Sequence, residues 1–555
     1  MMLEWVMALI MTFSVPAITP GDLEFRHDVL RPGTAWQAGL LPGKVAEMRG
    51  VAESYLVPTA DHPDHPAYAG AVVLAARNGI VVSRFAVGDA VRYASPTEEL
   101  PPGRRIPARV GTIYDLASIS KLFTTIVLLQ QVDAGRLDLD APVATYVPEF
   151  AAGGKAAITA RHLLTHTSGL PAFLPFWSSE PTPQTRLAAA LATPVVAGTT
   201  PGAQYVYSDI GLIALGVLVE RLTGKGLAQA VHDGITGPLA MRDTGYNPAP
   251  ETRDRIAATE YEGYAGRGLV WGEVHDENAW ALGGAAGHAG VFSTADDLAV
   301  LCQTLLNGGT YRGARILSAA MVRQALVNHN AALEDRFPDS DRGLGFELGK
   351  HSYMDAMASP VTFGHTGFTG TSVVIDPIAH SFLVVLSNRV HPDRNWGTNT
   401  VARRALARTF ADALPVGRGW RADRRDGSTV TLTAALPRPA LSGATASFPL
   451  WYDTEPRYDT LHADTSIDGG VTWRPLPMSL RAGRDAFTSD GSLTGYGGRH
   501  WWRVTAVVPP GTTHLRWRYT TDASAQGRGV YLGRVRVTGS GTPAITTDGW
   551  TLSNS

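Results

Sequence analysis

Two apolar runs flank Asn78-Gly79 in "GAVVLAARNGIVVSRFAVG" (70–88). This pattern predicts a pair of strands joined by a two-residue hairpin turn. "TSVVIDP" and "SFLVVLSNR" (371–377, 381–389) predict a second pair around a Pro-containing turn. Between the pairs the apolar spacing becomes helical. It does so in the stretch opening at Leu116, in "DIGLIALGVLVERLTG" (209–224) and in "TADDLAVLCQTLLNGG" (294–309), where Thr294 suits an N-cap and the glycines a stop. "ITARHLLTHTSGLP" (158–171) reads as helix and loop, and "NTVARRALARTFADAL" (399–414) as a closing helix. Hairpin, long helical insertion, hairpin and helix predict an α/β (α+β) fold, an antiparallel sheet flanked by helices with an added all-helical lobe.

The texture changes beyond residue 415. "GRGWRADRRDGS" reads as a linker. After it come six tryptophans, no lysine, and short alternating runs such as "TVTLTAAL", "HWWRVTAVV" and "VYLGRVRV". These predict an all-β sandwich. The expected organisation is a candidate signal segment at 1–20, an extended Pro/Gly-rich lead-in at 21–44, the mixed domain at 45–414, a linker at 415–427, the sandwich at 428–540 and a tail at 541–555. The first segment has the apolar length and the small-residue site of a signal peptide, but Glu4 stands where a basic residue is usual.

Composition narrows the chemistry. A formal net charge of −2 over 555 residues gives no electrostatic reason to expect nucleic acid as a partner. No later stretch approaches the length of an integral membrane span. The single cysteine, Cys302, excludes an intrachain disulfide and a cysteine-based zinc site, and its periodic apolar context places it in a helix core. Lysine is scarce, five residues in all (Lys44, Lys121, Lys155, Lys225, Lys350), and one of them lies within the apolar "DLASISKLF" (115–123).

In that stretch Ser118 and Lys121 stand three apart, so on a helix their side chains meet. An apolar surrounding should strip the lysine of hydration and lower its pKa from about 10.4, making a neutral amine that can take the serine proton. Against this stands the bland reading, in which Lys121 snorkels to solvent and Ser118 caps the helix. Two further clusters carry suitable chemistry. "YVYSDIG" places Tyr207 and Asp209 at a loop–helix junction, and "FGHTGFTGTS" leads His365, Thr366 and Gly367 into a strand where a glycine allows close approach of substrate.

Taken in order, Ser118-x-x-Lys121, Tyr207-Ser208-Asp209 and His365-Thr366-Gly367 resemble the serine β-lactamase and penicillin-binding-protein superfamily, in particular its class C β-lactamase, DD-peptidase and carboxylesterase branch. "GHAGVFSTADDLA" (287–299) resembles a phrase common in that branch, and "WGEVHDENAW" (271–280) resembles one of a subgroup holding DD-carboxypeptidases and muropeptide-trimming amidases. The resemblance implies a β-lactamase/transpeptidase-like fold and an acyl-enzyme mechanism with no metal and no cofactor. Ser118 would be the nucleophile, Lys121 its base and Tyr207 the proton relay. His365 would stand where β-lactamases carry lysine, as in peptidase and esterase members. The backbone N–H groups of Ser118 and Phe368 would form the oxyanion hole, with Asp209, Thr366 and Gly367 binding substrate.

His275, Asp276 and Glu277 are open to two readings, cleft lining or a loop network. The expected substrates are amide bonds of peptidoglycan-derived peptides. The alternatives are a carboxylesterase, or a penicillin-binding sensor or wall-binding protein with little turnover. The C-terminal sandwich resembles the accessory module of immune-inhibitor-A-type secreted proteases. That implies an extracellular or cell-envelope location and cell-surface or glycan contact, although the plain reading is that its tryptophans build a core.

Overall fold

The computed structural model describes residues 18–60, 62–337 and 339–553. The expected signal segment therefore falls almost wholly outside the described residues. The chain divides into two compact units, residues 19–354 with 361–413, and residues 414–553 with 355–360.

In the first unit Asn78 (φ 53°) and Gly79 (φ 71°) both take left-handed backbone, as a two-residue hairpin turn requires. They join β1 (Gly70–Arg77) to β2 (Ile80–Val91) in antiparallel register, Arg77 facing Ile80. Two α-helices bracket the five long strands of the sheet in sequence, α1 (Pro42–Ser54) before them and α5 (Thr400–Asp412) after them. The remaining strands are β3 (Phe363–Thr366), β4 (Ser372–Asp376) and β5 (Ser381–Ser387). The sheet runs β2, β1, β5, β4, β3, with a short pairing at each edge: Arg31–Pro32 lies parallel to β2 and Glu347–Leu348 antiparallel to β3. Every residue of β5 is buried, and all but the last of β1. Both faces of the central strands are thus covered, which is why these strands read as unbroken apolar runs. The helices α1 and α5 pack on each other, while α4 (Ala295–Leu306) packs on β1 and β5 and carries Cys302 in its buried face.

The helical lobe is built on α2 (Ser120–Asp133) and α3 (Asp209–Thr223), which pack together. Eleven of the fourteen residues of α2 are buried, so it is a core helix with no solvent face of its own. Ser208 caps α3, its Oγ accepting from Gly211 N at 3.3 Å, and Gly224 ends it in left-handed conformation.

The second unit consists of two antiparallel sheets. One is ordered Asp485–Ser489, Met478–Ala482, Trp502–Val507, Thr445–Asp453, Gly529–Leu532, Gly419–Ala422, Trp550–Ser553. The other is ordered Arg474–Pro475, Thr460–Ser466, His514–Thr520, Thr429–Ala435, Ala544–Asp548. Their inner faces share one core containing Trp502, Trp517 and Trp550, with Phe448 and Trp517 in edge contact at 4.9 Å. These three tryptophans are thus core residues. Two expected boundaries shift. Residues 415–427 are not simply a linker, because Gly419–Ala422 pairs with Gly529–Leu532 and Trp550–Ser553. Residues 541–555 are not simply a tail, because they supply two strands. Both segments are too short, polar or glycine-flanked to announce a strand by alternation alone. At Gly533 a side-chain carbon would run into the Pro449 ring, so this position has no room for a side chain.

Candidate active site

Ser118 sits in a 3-10 turn, Ala117–Ile119, that leads into α2. Three residues per turn superimpose positions i and i+3. Lys121 Nζ accordingly donates to Ser118 Oγ at 2.7 Å. The entry to the turn is strained: Ala117 has φ +48°, a conformation costing a non-glycine residue about 1–3 kcal/mol. Several bonds hold it there. Ala117 N donates to Asp115 Oδ1 (2.8 Å), Leu116 N to Val291 O (2.9 Å), Thr369 Oγ1 to Asp115 O (2.7 Å) and Thr371 Oγ1 to Leu116 O (3.0 Å). Both threonines belong to the segment that follows His365, so the nucleophile turn and the end of β3 are fastened to each other.

Lys121 is 1% exposed. Its Nζ lies 2.8 Å from Asp209 Oδ1 and 3.2 Å from the His288 carbonyl, and 4.9 Å from the centre of the Tyr207 ring. Here the structure corrects the expectation drawn from apolar burial. Burial does pull the lysine down, but the Asp209 carboxylate and Tyr207 outweigh it, and Lys121 is pushed up to about 12. The resting group is an ammonium ion. Asp209 is the first residue of α3, where the helix N-terminus favours negative charge.

Tyr207 is placed by its two chain neighbours and by a histidine that both of them bond. Ser208 N donates to His166 Nδ1 (3.0 Å) and Val206 N to His166 O (2.9 Å), and the His166 ring packs on Tyr207 at 4.4 Å. Burial raises the Tyr207 phenol, with Lys121 opposing. His365 lies on β3, 6.1 Å ring to ring from Tyr207. Its Nδ1–H donates to Thr366 O at 2.7 Å, which leaves Nε2 as the acceptor, 3.5 Å from Arg342 Nη1. Burial lowers His365 to about 4, helped by Arg342 and Lys121 and opposed by Glu347, so the imidazole is neutral at physiological pH.

These groups open onto a cleft of about 530 Å³ lined by Ser118, Tyr207, His365, Thr366, Gly367 and Phe368. Gly367 is required where it stands, since a Cβ there would collide with Thr371 Oγ1 and the Leu116 carbonyl. The Gly367 carbonyl accepts from Arg403 Nη2 at 2.7 Å. In a trans peptide the N–H points opposite the C=O, so this bond turns the Phe368 N–H away from Arg403. Four cations (Arg342, Lys350, Arg389, Arg403) face two carboxylates (Asp339, Glu347) across the lining. Burial lowers Arg389 and Arg403 to about 10, which leaves both charged at neutral pH.

Sequence comparison matches residues 59–408 to the Beta-lactamase family. The chain belongs to the β-lactamase family. A relative from Escherichia coli (strain K12), named "Putative D-alanyl-D-alanine carboxypeptidase", is 34% identical over 360 residues, covering 58% of this chain and 79% of the relative. Among solved structures, EstCE1, described as a hydrolase with promiscuous acyltransferase activity, superposes with a TM-score of 0.51 at 23% identity, covering 67% of this chain and 98% of the other. A family VIII carboxylesterase superposes with a TM-score of 0.50 at 23% identity, covering 68% and 99%. This β-lactamase-family chain is a serine hydrolase.

Several residues that build the β-lactamase-family cleft were not singled out from the sequence. Arg342, 2% exposed, forks between Glu347 (2.9 Å) and Tyr205 Oη (3.2 Å) and lies 5.2 Å from the Tyr207 ring. Tyr205 could have been found, because an extended "YVY" places it on the same side as Tyr207. Arg342 and Glu347 carry no such signal, since a strand turn, not a helix, brings them together. His275, Asp276 and Glu277 follow the loop-network reading and do not line the cleft. His275 Nε2 meets Glu260 (2.8 Å), Asp276 meets His288 (2.7 Å) while capping the helix Glu277–Ala281, and Glu277 accepts from Arg394 (2.8 Å) and Tyr264 (2.7 Å).

Among the described residues, two groups gather three metal-ligand atoms within 4.8 Å of one another, Glu260, Glu262 and His275, and Glu455, Asp459 and Asp522. In the first, Arg394 already binds Glu260 (2.6 Å) and Arg267 binds Glu262 (2.9 Å), so guanidinium groups occupy the place of a cation.

Proposed function

We propose that the protein is an acyl-transferring serine hydrolase that uses Ser118 to open amide bonds in peptidoglycan-derived peptides, as a DD-carboxypeptidase or a related amidase. The observation that carries this reading is the contact of Lys121 Nζ with Ser118 Oγ at 2.7 Å beside Tyr207, at the floor of a cleft with an excess of cations. A substrate ending in a carboxylate suits that charge.

The reaction runs as follows. Lys121 gives up its resting proton to solvent and then accepts the proton of Ser118 as Oγ attacks the carbonyl carbon. The Ser118 and Phe368 N–H groups receive the oxyanion. As the C–N bond breaks, the Tyr207 hydroxyl passes its proton to the leaving nitrogen and is reprotonated from Lys121. Water then cleaves the Ser118 ester by the reverse relay, releasing a carboxylic acid and restoring the hydroxyl. Neutral His365 contributes an acceptor and no charge, which suits a peptide or ester substrate better than it reproduces a lysine at this position.

The likeness to E. coli proteins named for D-alanyl-D-alanine carboxypeptidase activity supports the substrate class. A fluorescent penicillin should label the wild-type protein and leave Ser118→Ala unlabelled. Turnover of a D-Ala-D-Ala peptide should exceed turnover of a short-chain nitrophenyl ester in kcat/KM. The opposite ranking would assign the site to a carboxylesterase, and labelling without turnover to a sensor.

A further inference from the structure

A second cavity, of about 630 Å³, is formed by residues 247–284 of the hydrolase unit and shares no lining residue with the Ser118 cleft. Its volume is that of a small-molecule site. Trp271 and Trp280 contribute indole surface, and Trp280 is 38% exposed. Each ring is covered on one side by a guanidinium group, Arg253 at 4.3 Å from Trp271 and Arg267 at 4.6 Å from Trp280. The Trp271 Nε1–H is spent on the Ile256 carbonyl at 2.8 Å, so this indole offers ring surface and no donor. Around the rings stand three polar groups at the surface. Arg253 and Asn247 are exposed, and Glu273 is 66% exposed and pairs with Arg267 at 3.6 Å. Asn247 uses its Nδ2 on the Gly283 carbonyl (3.0 Å), and its carbonyl oxygen lies against Gly284.

This combination selects among ligand classes. A purely apolar ligand would cover Arg253, Asn247 and Glu273 without satisfying them, which costs free energy for each group desolvated. A simple anion would be repelled by Glu273 and gain nothing from the indoles. A pyranose ring has apolar C–H faces and an equatorial belt of donors and acceptors, so it can stack on an indole while its edge reaches a guanidinium, an amide and a carboxylate. We infer that the groove walled by Trp271 and Trp280 binds an amino-sugar oligosaccharide, with Arg253, Asn247 and Glu273 holding the hydroxyl and acetamido edge. The groove is mechanically tied to the active-site side of the same segment. Arg267 donates to the carbonyls of Val274 (2.6 Å) and His275 (3.1 Å), and His275 N donates to Asp115, which pins the nucleophile turn.

The test is calorimetric titration of the full chain with chitotetraose and, separately, with the disaccharide of N-acetylglucosamine and N-acetylmuramic acid. Neither probe carries a peptide, so the outcome is independent of which acyl bond Ser118 opens. Binding of either sugar that weakens at least about tenfold in Trp280→Ala and measurably in Arg253→Ala supports the site. Both side chains lie at the surface, and unchanged hydrolysis of a nitrophenyl ester verifies that the variants fold. Binding of the disaccharide alone supports the site and identifies a muramic acid-containing glycan as its source. Binding of both identifies the shared acetamido pyranose as what is read. Binding unaltered in both variants, or no heat with either sugar at several millimolar, overturns the inference.

Discussion

The charge state of Lys121 gives the sharpest test of the site. The ammonium is held by Asp209 at 2.8 Å, and the lysine is pushed up to about 12 from its ordinary 10.5 although burial pulls the other way. Asp209→Asn keeps the shape and removes the charge. The Asp209 share of the upward push is then gone, and Lys121 should fall back towards its ordinary value, a drop of about 1.5 units, or roughly 2 kcal/mol of lost preference for the ammonium. The assay is the pH dependence of kcat/KM, which reports the free enzyme's essential groups. For the wild type it should climb about tenfold per pH unit and still be climbing near pH 10, because only the amine can accept the Ser118 proton. For Asp209→Asn the same limb should level off about 1.5 units lower, so acylation on that limb rises about thirtyfold at fixed pH. Loss of a substrate contact at Asp209 would lower the whole profile without moving the limb, so position and height separate the two roles. A limb that does not move, or a wild-type profile already flat at pH 8, would refute the assignment of Lys121 as the proton acceptor. With only five lysines in the chain, the ε-nitrogen of Lys121 can also be titrated directly by NMR.

Other outcomes follow from the same contacts. Gly367→Ala drives a methyl group into Thr371 Oγ1 and the Leu116 carbonyl and should cost at least about a hundredfold in kcat with a clear fall in Tm; unaltered kinetics would show that the Gly367–Leu116 approach is unimportant. Arg342→Met takes the buried guanidinium away from the half-buried Glu347 and should destabilise the hydrolase unit by about 3 kcal/mol in denaturant titration, whereas Arg342→Met with Glu347→Leu should recover most of it. Arg403→Lys should lower kcat more than it raises KM, since the bond that turns the Phe368 peptide is weakened while the cleft keeps its charge. His365 and His391 are both held near 4 by burial, below an ordinary 6.5. Their neutral forms are those the fold accepts, so stability is full above pH 6.5 and is lost as pH falls towards 4, by about 3 kcal/mol per histidine when complete. Denaturation midpoints at pH 7, 5.5 and 4.5 check the sign.

Sequence by itself determined the elements and the reactive triple. The Asn78-Gly79 hairpin follows from residues that accept left-handed backbone, and the unbroken apolar runs of β1 and β5 follow from a sheet covered on both faces. Ser118 and Lys121 meet because three residues make one 3-10 turn, a purely local rule. What the sequence could not decide was charge. The apolar neighbours of Lys121 argued for a neutral amine, but the counter-ion lies on another helix, and a carboxylate at 2.8 Å outweighs desolvation whatever the local composition. The same holds for Arg342 with Glu347, for Arg403 turning the Phe368 peptide, and for Asp115 and Thr369 gripping the strained turn at Ala117. The strands at Gly419–Ala422 and Trp550–Ser553 were hidden for a related reason, since each is defined by the partner it pairs with. Period and propensity are properties of a segment, whereas a proton's position and a peptide's orientation depend on groups that only the folded chain brings within hydrogen-bonding distance.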